Sequence, residues 1–222
     1  MNKKKIHIYL MPGMAASPLI FERISLPKDQ FEVHLLEWIL PNNYNESIES
    51  YAKRMSVFIK HDHCVLLGVS FGGVLVQEIK KYITVSKLII VSSIKSVSEL
   101  PKHMLLAKIT KAYKLLPTQL ASRLDLLEKY AYGDLASKRV ELYKKYLSVN
   151  DTAYLDWAVK EMLNWQQVLP DDRLIHIHGD KDGVFPIKNI SKCIVIKNGT
   201  HIAILNKYKW FNENLPRLIL ED

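Results

Sequence analysis

Only two cysteines, Cys64 and Cys193, occur among the 222 residues, and each opens a short apolar run. In that setting cysteine behaves as a small buried hydrophobe, so no disulfide framework is expected. No apolar stretch approaches the ~20 residues that a membrane-spanning helix needs, so no membrane span is expected. Lys3, Lys4 and Lys5 followed by Ile6 to Met11 loosely imitate a secretory signal. The apolar part is too short and carries His7, so it reads as the first strand of a cytoplasmic protein. No phosphate-cradling glycine loop or dinucleotide fingerprint is present, and no cofactor is expected. His61, Asp62, His63 and Cys64 gather metal-binding residue types, but this segment reads as a helix running into a strand. No second cluster completes a coordination shell, and no metal is expected. The net charge is +8, yet the lysines are spread rather than clustered on one face with interleaved aromatics, which argues against nucleic-acid binding. Such a field could still steer an acidic partner or an anionic substrate. Internal repeats and low-complexity segments are missing as well.

What is present is an alternation of strand and helix patterns. Six short apolar runs, beginning near residues 5, 31, 64, 87, 173 and 192, read as strands. Between the second and third, Ile48, Tyr51, Ala52, Met55, Phe58 and Ile59 recur at helical spacing, predicting a helix over 45–60 with Asn45 as its N-cap and Glu46 and Glu49 in its first turn. Strands separated by helices imply right-handed crossovers and a mainly parallel sheet covered on both faces. The expected class is therefore α/β. From 97 to 169 the pattern changes to four amphipathic helices marked by Leu105 to Leu116, Leu120 to Ala131, Leu135 to Leu147 and Leu155 to Trp165. This divides the chain into a core of 1–96 and 170–222 with an all-helical insertion over 97–169.

The run Gly68-Val69-Ser70-Phe71-Gly72-Gly73 is the most informative. Cys64 to Leu67 before it reads as a buried strand and Val74 to Lys81 after it as a helix. A serine on so sharp a turn has an exposed hydroxyl, and the crowding leaves room only for glycine two positions to either side, here Gly68 and Gly72. Ser70 is thus a candidate nucleophile, and a serine hydroxyl at neutral pH needs a base. After the fifth strand, Gly179-Asp180-Lys181-Asp182-Gly183 turns with two carboxylates. After the sixth, Asn198-Gly199-Thr200-His201 forms a loop. His201 is the one histidine that such a reading places beyond the last strand.

A serine at a strand-to-helix turn, then an acid, then a histidine: in this order the chain resembles the α/β-hydrolase superfamily. The resemblance covers most of the chain but leaves out roughly 97–169, where that superfamily differs most. Its usual leading antiparallel strand pair is missing here. The resemblance implies Asp182 as the acid, because it lies three residues after Gly179 with Pro186 beyond. Asp180 is then a turn residue, although its ability to replace Asp182 stays open. It also implies an oxyanion hole from the backbone N–H groups of Phe71 and of Met14, with Gly13 allowing close approach. Many relatives have His-Gly where this chain has Pro12-Gly13, and proline has no N–H to give. The implied activity is hydrolysis of a small carboxylic ester or thioester through an acyl-enzyme on Ser70, with 97–169 as a cap. Two other readings accompany it. One is an esterase or thioesterase for acyl chains on an acidic acyl carrier protein, suggested by Lys108, Lys111 and Lys114. The other is a ligand-binding protein on the same fold with idle chemistry.

Overall fold

Strands whose side chains are apolar on both sides must be covered on both faces, and the sheet obeys this. The computed structural model describes residues 5–115, 145–149 and 151–221. Its six strands are β1 (Ile6–Met11), β2 (Phe31–Leu35), β3 (Cys64–Val69), β4 (Val85–Val91), β5 (Ile175–Gly179) and β6 (Ile194–Ile196). They form one sheet in the order β2-β1-β3-β4-β5-β6, and every neighbouring pair is parallel. Period-two alternation sends Tyr9, Met11, Leu66 and Ile90 to one apolar cluster. Ile8, Leu10, Val65, Leu67 and Ile89 go to the other. Helices α1 (Ile48–Ser56) and α2 (Phe71–Ile79) cover the first face. The short α5 (Ala203–Asn206) and the terminal α6 (Tyr208–Leu220) cover the second through Ala203, Phe211, Leu215 and Ile219. No helix among the described residues is long and apolar enough to cross a membrane.

Helix α1 is capped two residues later than expected and ends at Ser56 rather than at 60. Ser47, not Asn45, is the N-cap: its backbone is extended and its hydroxyl accepts the Ser50 N–H at 3.2 Å. The Asn45 N–H is instead bonded to the side chain of Asn43 in the preceding turn. Between β4 and β5, helix α3 (Lys102–Thr110) stops where Lys111 adopts a left-handed conformation, and a 3₁₀ turn follows over Ala112–Leu115. A single helix through Leu116 is therefore not formed, and Lys108, Lys111 and Lys114 do not share one helical face. The second expected helix and most of the third lie outside the described residues.

The fourth is α4 (Thr152–Asn164), capped by the Asp151 carboxylate on the Tyr154 N–H. Its apolar side merges with the main core, where Tyr154, Trp157 and Trp165 are fully buried beside Tyr51 and Phe71. Polar contacts fix the docking. The Ile48 N–H at the start of α1 donates to the Glu161 carboxylate (2.9 Å), and the Trp157 indole N–H donates to the Glu46 carbonyl (2.7 Å). The Trp165 indole N–H donates to the buried Glu78 carboxylate (2.8 Å). A carboxylate at a helix N-terminus gains from the unpaired first-turn N–H groups and their dipole.

A second buried polar set runs behind β5. His176 and His178 point to the same side, with His176 Nε2 3.1 Å from His178 Nδ1 and His178 Nε2 2.8 Å from the Phe185 carbonyl. Lys95, paired with Glu99 at 3.3 Å, stands 3.5 Å from His176 Nδ1. Neutral rings satisfy these three contacts in one direction. Lys95 donates to His176 Nδ1, His176 Nε2–H to His178 Nδ1, and His178 Nε2–H to the Phe185 carbonyl. Burial, then the neighbouring His178 and Lys95, push His176 down to about 3. Burial likewise lowers His178.

Two stability predictions follow from this packing. Trp157→Ala leaves a cavity in the shared core and should cost about 3–5 kcal/mol in denaturant unfolding. Leu169→Ala, at a residue 83% exposed, should change stability by less than about 0.5 kcal/mol. Equal effects would show that α4 is not part of the cooperative core. The second prediction concerns acid. His176 and His178 bind protons more readily in the unfolded chain, so the stability they confer is complete above about pH 6.5. It is lost as pH falls toward the folded value of about 3 for His176, by up to about 1.4 kcal/mol per pH unit for each ring. The melting temperature should fall steadily from pH 7 to pH 5, and His176→Gln should flatten that slope. An acid limb of unchanged steepness in the variant would place the dependence elsewhere.

Candidate active site

Ser70 joins β3 to α2 with φ 52° and ψ −121°, a region that residues with a side chain rarely occupy. The turn is held from both sides. The Ser70 N–H donates to the Val91 carbonyl (2.9 Å), and the Ser93 hydroxyl donates to the Ser70 carbonyl (2.7 Å). Close backbone approach explains the flanking glycines. A side chain at Gly68 would strike the Gly72 backbone, and one at Gly72 would strike the carbonyls of Met11 and Pro12.

Three elements converge on this turn. His201, between β6 and α5, places Nε2 3.0 Å from Ser70 Oγ. Its Nδ1 lies 3.1 Å and 3.0 Å from the two carboxylate oxygens of Asp182, in the loop after β5. Asp182 is buried, and its Oδ1 also accepts the N–H groups of Val184 (2.8 Å) and Phe185 (2.9 Å). Burial alone would raise this carboxyl. The hydrogen bond and charge of His201, together with the two backbone N–H groups, outweigh it and hold the carboxyl below its ordinary value. Asp180 takes no part in these contacts, and its buried Oδ1 has no hydrogen-bond partner among the described residues. A hydroxyl, an imidazole and an ionised carboxylate in line can move a proton from oxygen to nitrogen and stabilise the resulting imidazolium.

Sequence reasoning missed two groups here. His178 Nε2 lies 3.5 Å from Asp182 Oδ2, the oxygen that His201 also approaches. A histidine alternating with isoleucines in a strand reads as core, and only the fold puts it against the acid. Trp38 is the other. Its indole N–H donates to the Gly13 carbonyl at 2.7 Å, and its ring stacks on Phe71 with centroids 5.2 Å apart and planes 8° from parallel. In a trans peptide the C=O and the next N–H point in opposite directions. Holding the Gly13 carbonyl toward Trp38 therefore aims the Met14 N–H the other way. The loop is tied further along by the Tyr154 hydroxyl accepting the Ala15 N–H (3.2 Å). Backbone bonds Ser17 N–H to Tyr146 carbonyl (2.6 Å) and Ser148 N–H to Ala15 carbonyl (2.9 Å) complete the tether. The Phe71 N–H opens α2, where first-turn N–H groups have no partner within the helix.

A cavity of about 440 Å³ opens at Ser70 and His201. Gly13 and Met14 form one edge, and its walls are mostly apolar, among them Ile20, Val69, Leu147, Ile204 and Leu205. A space of this size and lining admits a small, largely apolar molecule.

The sequence matches no protein-family profile and no curated protein. Solved structures resemble it over nearly its full length. A bromoperoxidase from Bacillus anthracis is 19% identical, with 100% of this chain and 94% of that chain covered and a TM-score of 0.66. A thermophilic esterase from Thermogutta terrifontis is 12% identical over 98% of this chain and 92% of its own, with a TM-score of 0.64. An alpha/beta hydrolase fold protein from Burkholderia ambifaria is 16% identical over 96% and 90%, with a TM-score of 0.65. Identities this low speak for the architecture alone, and together with the all-parallel six-stranded sheet they show that this chain has the α/β-hydrolase fold.

Proposed function

We propose that the protein is a serine hydrolase that cleaves a small carboxylic ester or thioester through an acyl-enzyme on Ser70. The observation that carries this reading is the continuous contact from Ser70 Oγ to His201 Nε2 (3.0 Å) and from His201 Nδ1 to buried Asp182 (3.0 Å). In the forward step Ser70 Oγ attacks the substrate carbonyl carbon while its proton passes to His201 Nε2. The carbonyl oxygen becomes an oxyanion that the Met14 and Phe71 N–H groups stabilise. The C–O or C–S bond then breaks as His201 returns the proton to the leaving group. Water, deprotonated by the same ring, attacks the acyl-Ser70 and releases the acid. Asp182 keeps Nδ1–H of His201 toward itself throughout, leaving Nε2 as the base. No step calls for a cofactor.

The division into a core of 1–96 and 170–222 and an insertion of 97–169 belongs to the same proposal, with α4 of the insertion packed into the main core and the segment around Tyr146 and Leu147 over the site. It is supported by Tyr146 and Leu147, which line the cavity. A carrier-bound acyl substrate has less support, because Lys108, Lys111 and Lys114 do not form one surface stripe. The esterase among the structural neighbours favours small esters as the first substrates to test.

Labelling with a fluorophosphonate and hydrolysis of short p-nitrophenyl esters test the reading together. A single adduct should map to Ser70, and Ser70→Ala and His201→Ala should each lower kcat/KM by at least about 10³-fold. Turnover retained in Ser70→Ala would refute the proposal. A folded wild type that neither labels nor turns over any ester would point instead to the idle ligand-binding reading. Trp38→Phe keeps the ring on Phe71 but removes the indole N–H. Because the Gly13 carbonyl also accepts the Ala16 N–H at 3.0 Å, the peptide is loosened rather than freed. We expect kcat to drop about tenfold with KM nearly unchanged, a fraction of the 2.7–4 kcal/mol that a whole oxyanion donor contributes. A rise in KM at constant kcat would assign Trp38 to substrate binding.

A further inference from the structure

Parallel pairing brings three distant histidines together at the β2 edge of the sheet. The register sets His7 of β1 beside Glu32 of β2, and Tyr9 beside His34. Side chains two apart share a face, so all four stand on the same side. The connection from α1 to β3 then lays His61 over them. Its ring stacks on His7 with centroids 3.5 Å apart and planes 4° from parallel, and it lies 5.0 Å from the His34 ring. One nitrogen from each ring falls within 4.8 Å of the others. His7 Nδ1 and His34 Nε2 are 3.0 Å apart, near the ~3.3 Å expected between two imidazole nitrogens on one tetrahedral zinc with bonds of about 2.0–2.1 Å. The Glu32 carboxylate oxygens reach to 3.9 Å from each of these same two nitrogens.

We propose that His7, His34 and His61, the His61 ring turning out of its stack on His7, bind a first-row divalent cation of the zinc class, with Glu32, 3.9 Å from two of the nitrogens, closing in as a fourth donor. Three imidazoles and one carboxylate suit zinc, cobalt or nickel, whereas magnesium and calcium take oxygen donors. The rings are half-buried, and surface grooves reach them from two sides, one at His34 and His61 and the other at His7. The Tyr9 hydroxyl, 2.7 Å from His61 Nδ1, also accepts the Lys60 N–H at 2.9 Å and so positions the segment that carries His61. Such outer partners orient metal-binding rings. His63 and Cys64, adjacent in sequence, are not members of the group. The ion would tie the edge strand β2 and the α1–β3 connection to β1. The site lies toward the start of β3, whereas Ser70 follows its end, so the proposal stands independently of the hydrolase reading.

Calorimetric titration of tag-free, chelator-treated full-length protein with Zn²⁺ tests it, with Co²⁺ absorption as a report on geometry. Wild type should take up a single equivalent, show the visible bands of tetrahedral Co²⁺, and melt at higher temperature as Zn²⁺ is added. His34→Ala and His61→Asn should each weaken uptake by about 10–100-fold or more, and Glu32→Gln by less. Circular dichroism of each metal-free variant identifies any that fails to fold, and His61→Asn, outside the strands, guards against that outcome. His201→Ala should leave uptake unchanged. Absence of binding at Zn²⁺ well above the protein concentration, or equal binding by the His34 and His61 variants, would overturn the site. Loss of binding only in His201→Ala would also overturn it, by moving the ion to Ser70.

Discussion

The tight crossing of the β3–α2 turn over the loop after β1 is the contact on which the rest of the structure depends. Gly68 and Gly72 let two backbones meet where any side chain would collide. Ser70, at the apex, takes a conformation that costs on the order of 1–3 kcal/mol. Strand pairing to Val91 and the Ser93 hydroxyl hold it there. Because the turn is rigid, each loop that reaches it has a fixed target. His201 and Asp182 arrive from the ends of β6 and β5, and the Gly13–Met14 peptide from the end of β1.

Those loops are secured by polar contacts from elements remote in sequence rather than by their own composition. Trp38 restrains the Gly13 carbonyl and packs on Phe71, so one residue touches both of the segments proposed to donate to an oxyanion. Tyr154 of α4 holds the next residue of the same loop. Helix α4 in turn is fastened to the start of α1 and to α2 by Glu161, Trp157 and Trp165. Each of these buried donors has its acceptor, and removing one partner would leave the other desolvated and unpaired, which costs more than the bond itself contributes.

Asp182 is handled in the same way. It is a buried carboxylate approached by two histidines, and only one of them should draw its charge. Burial keeps His178 neutral, outweighing the Phe185 carbonyl and the Asp182 charge, both of which favour the protonated ring. A protonated His178 would compete with His201 for the carboxylate. Its neutrality leaves the field of Asp182 directed at the ring that meets Ser70. The histidine pair in β5 is therefore better understood as support for the acid than as ordinary core.

Much of this was legible in the chain because its causes are local. Continuous apolar runs such as Cys64 to Val69 announce buried parallel strands, and glycines two positions either side of Ser70 announce a turn too crowded for side chains. The order of Ser70, Asp182 and His201 along alternating elements is a property of sequence, and so is the α/β class. Helix ends were less legible. Asn45 and Ser47 are both good caps, and the choice rests on which backbone is already extended, while Lys111 turns left-handed with no glycine to signal it. The distances from Ser70 to His201 and Asp182, the aim of the Met14 N–H set by Trp38, the place of α4 in the main core, and the meeting of His7, His34 and His61 were decided by tertiary structure alone. Each depends on strand register and helix docking between segments tens of residues apart, and no local pattern of side chains encodes how such segments come to face one another.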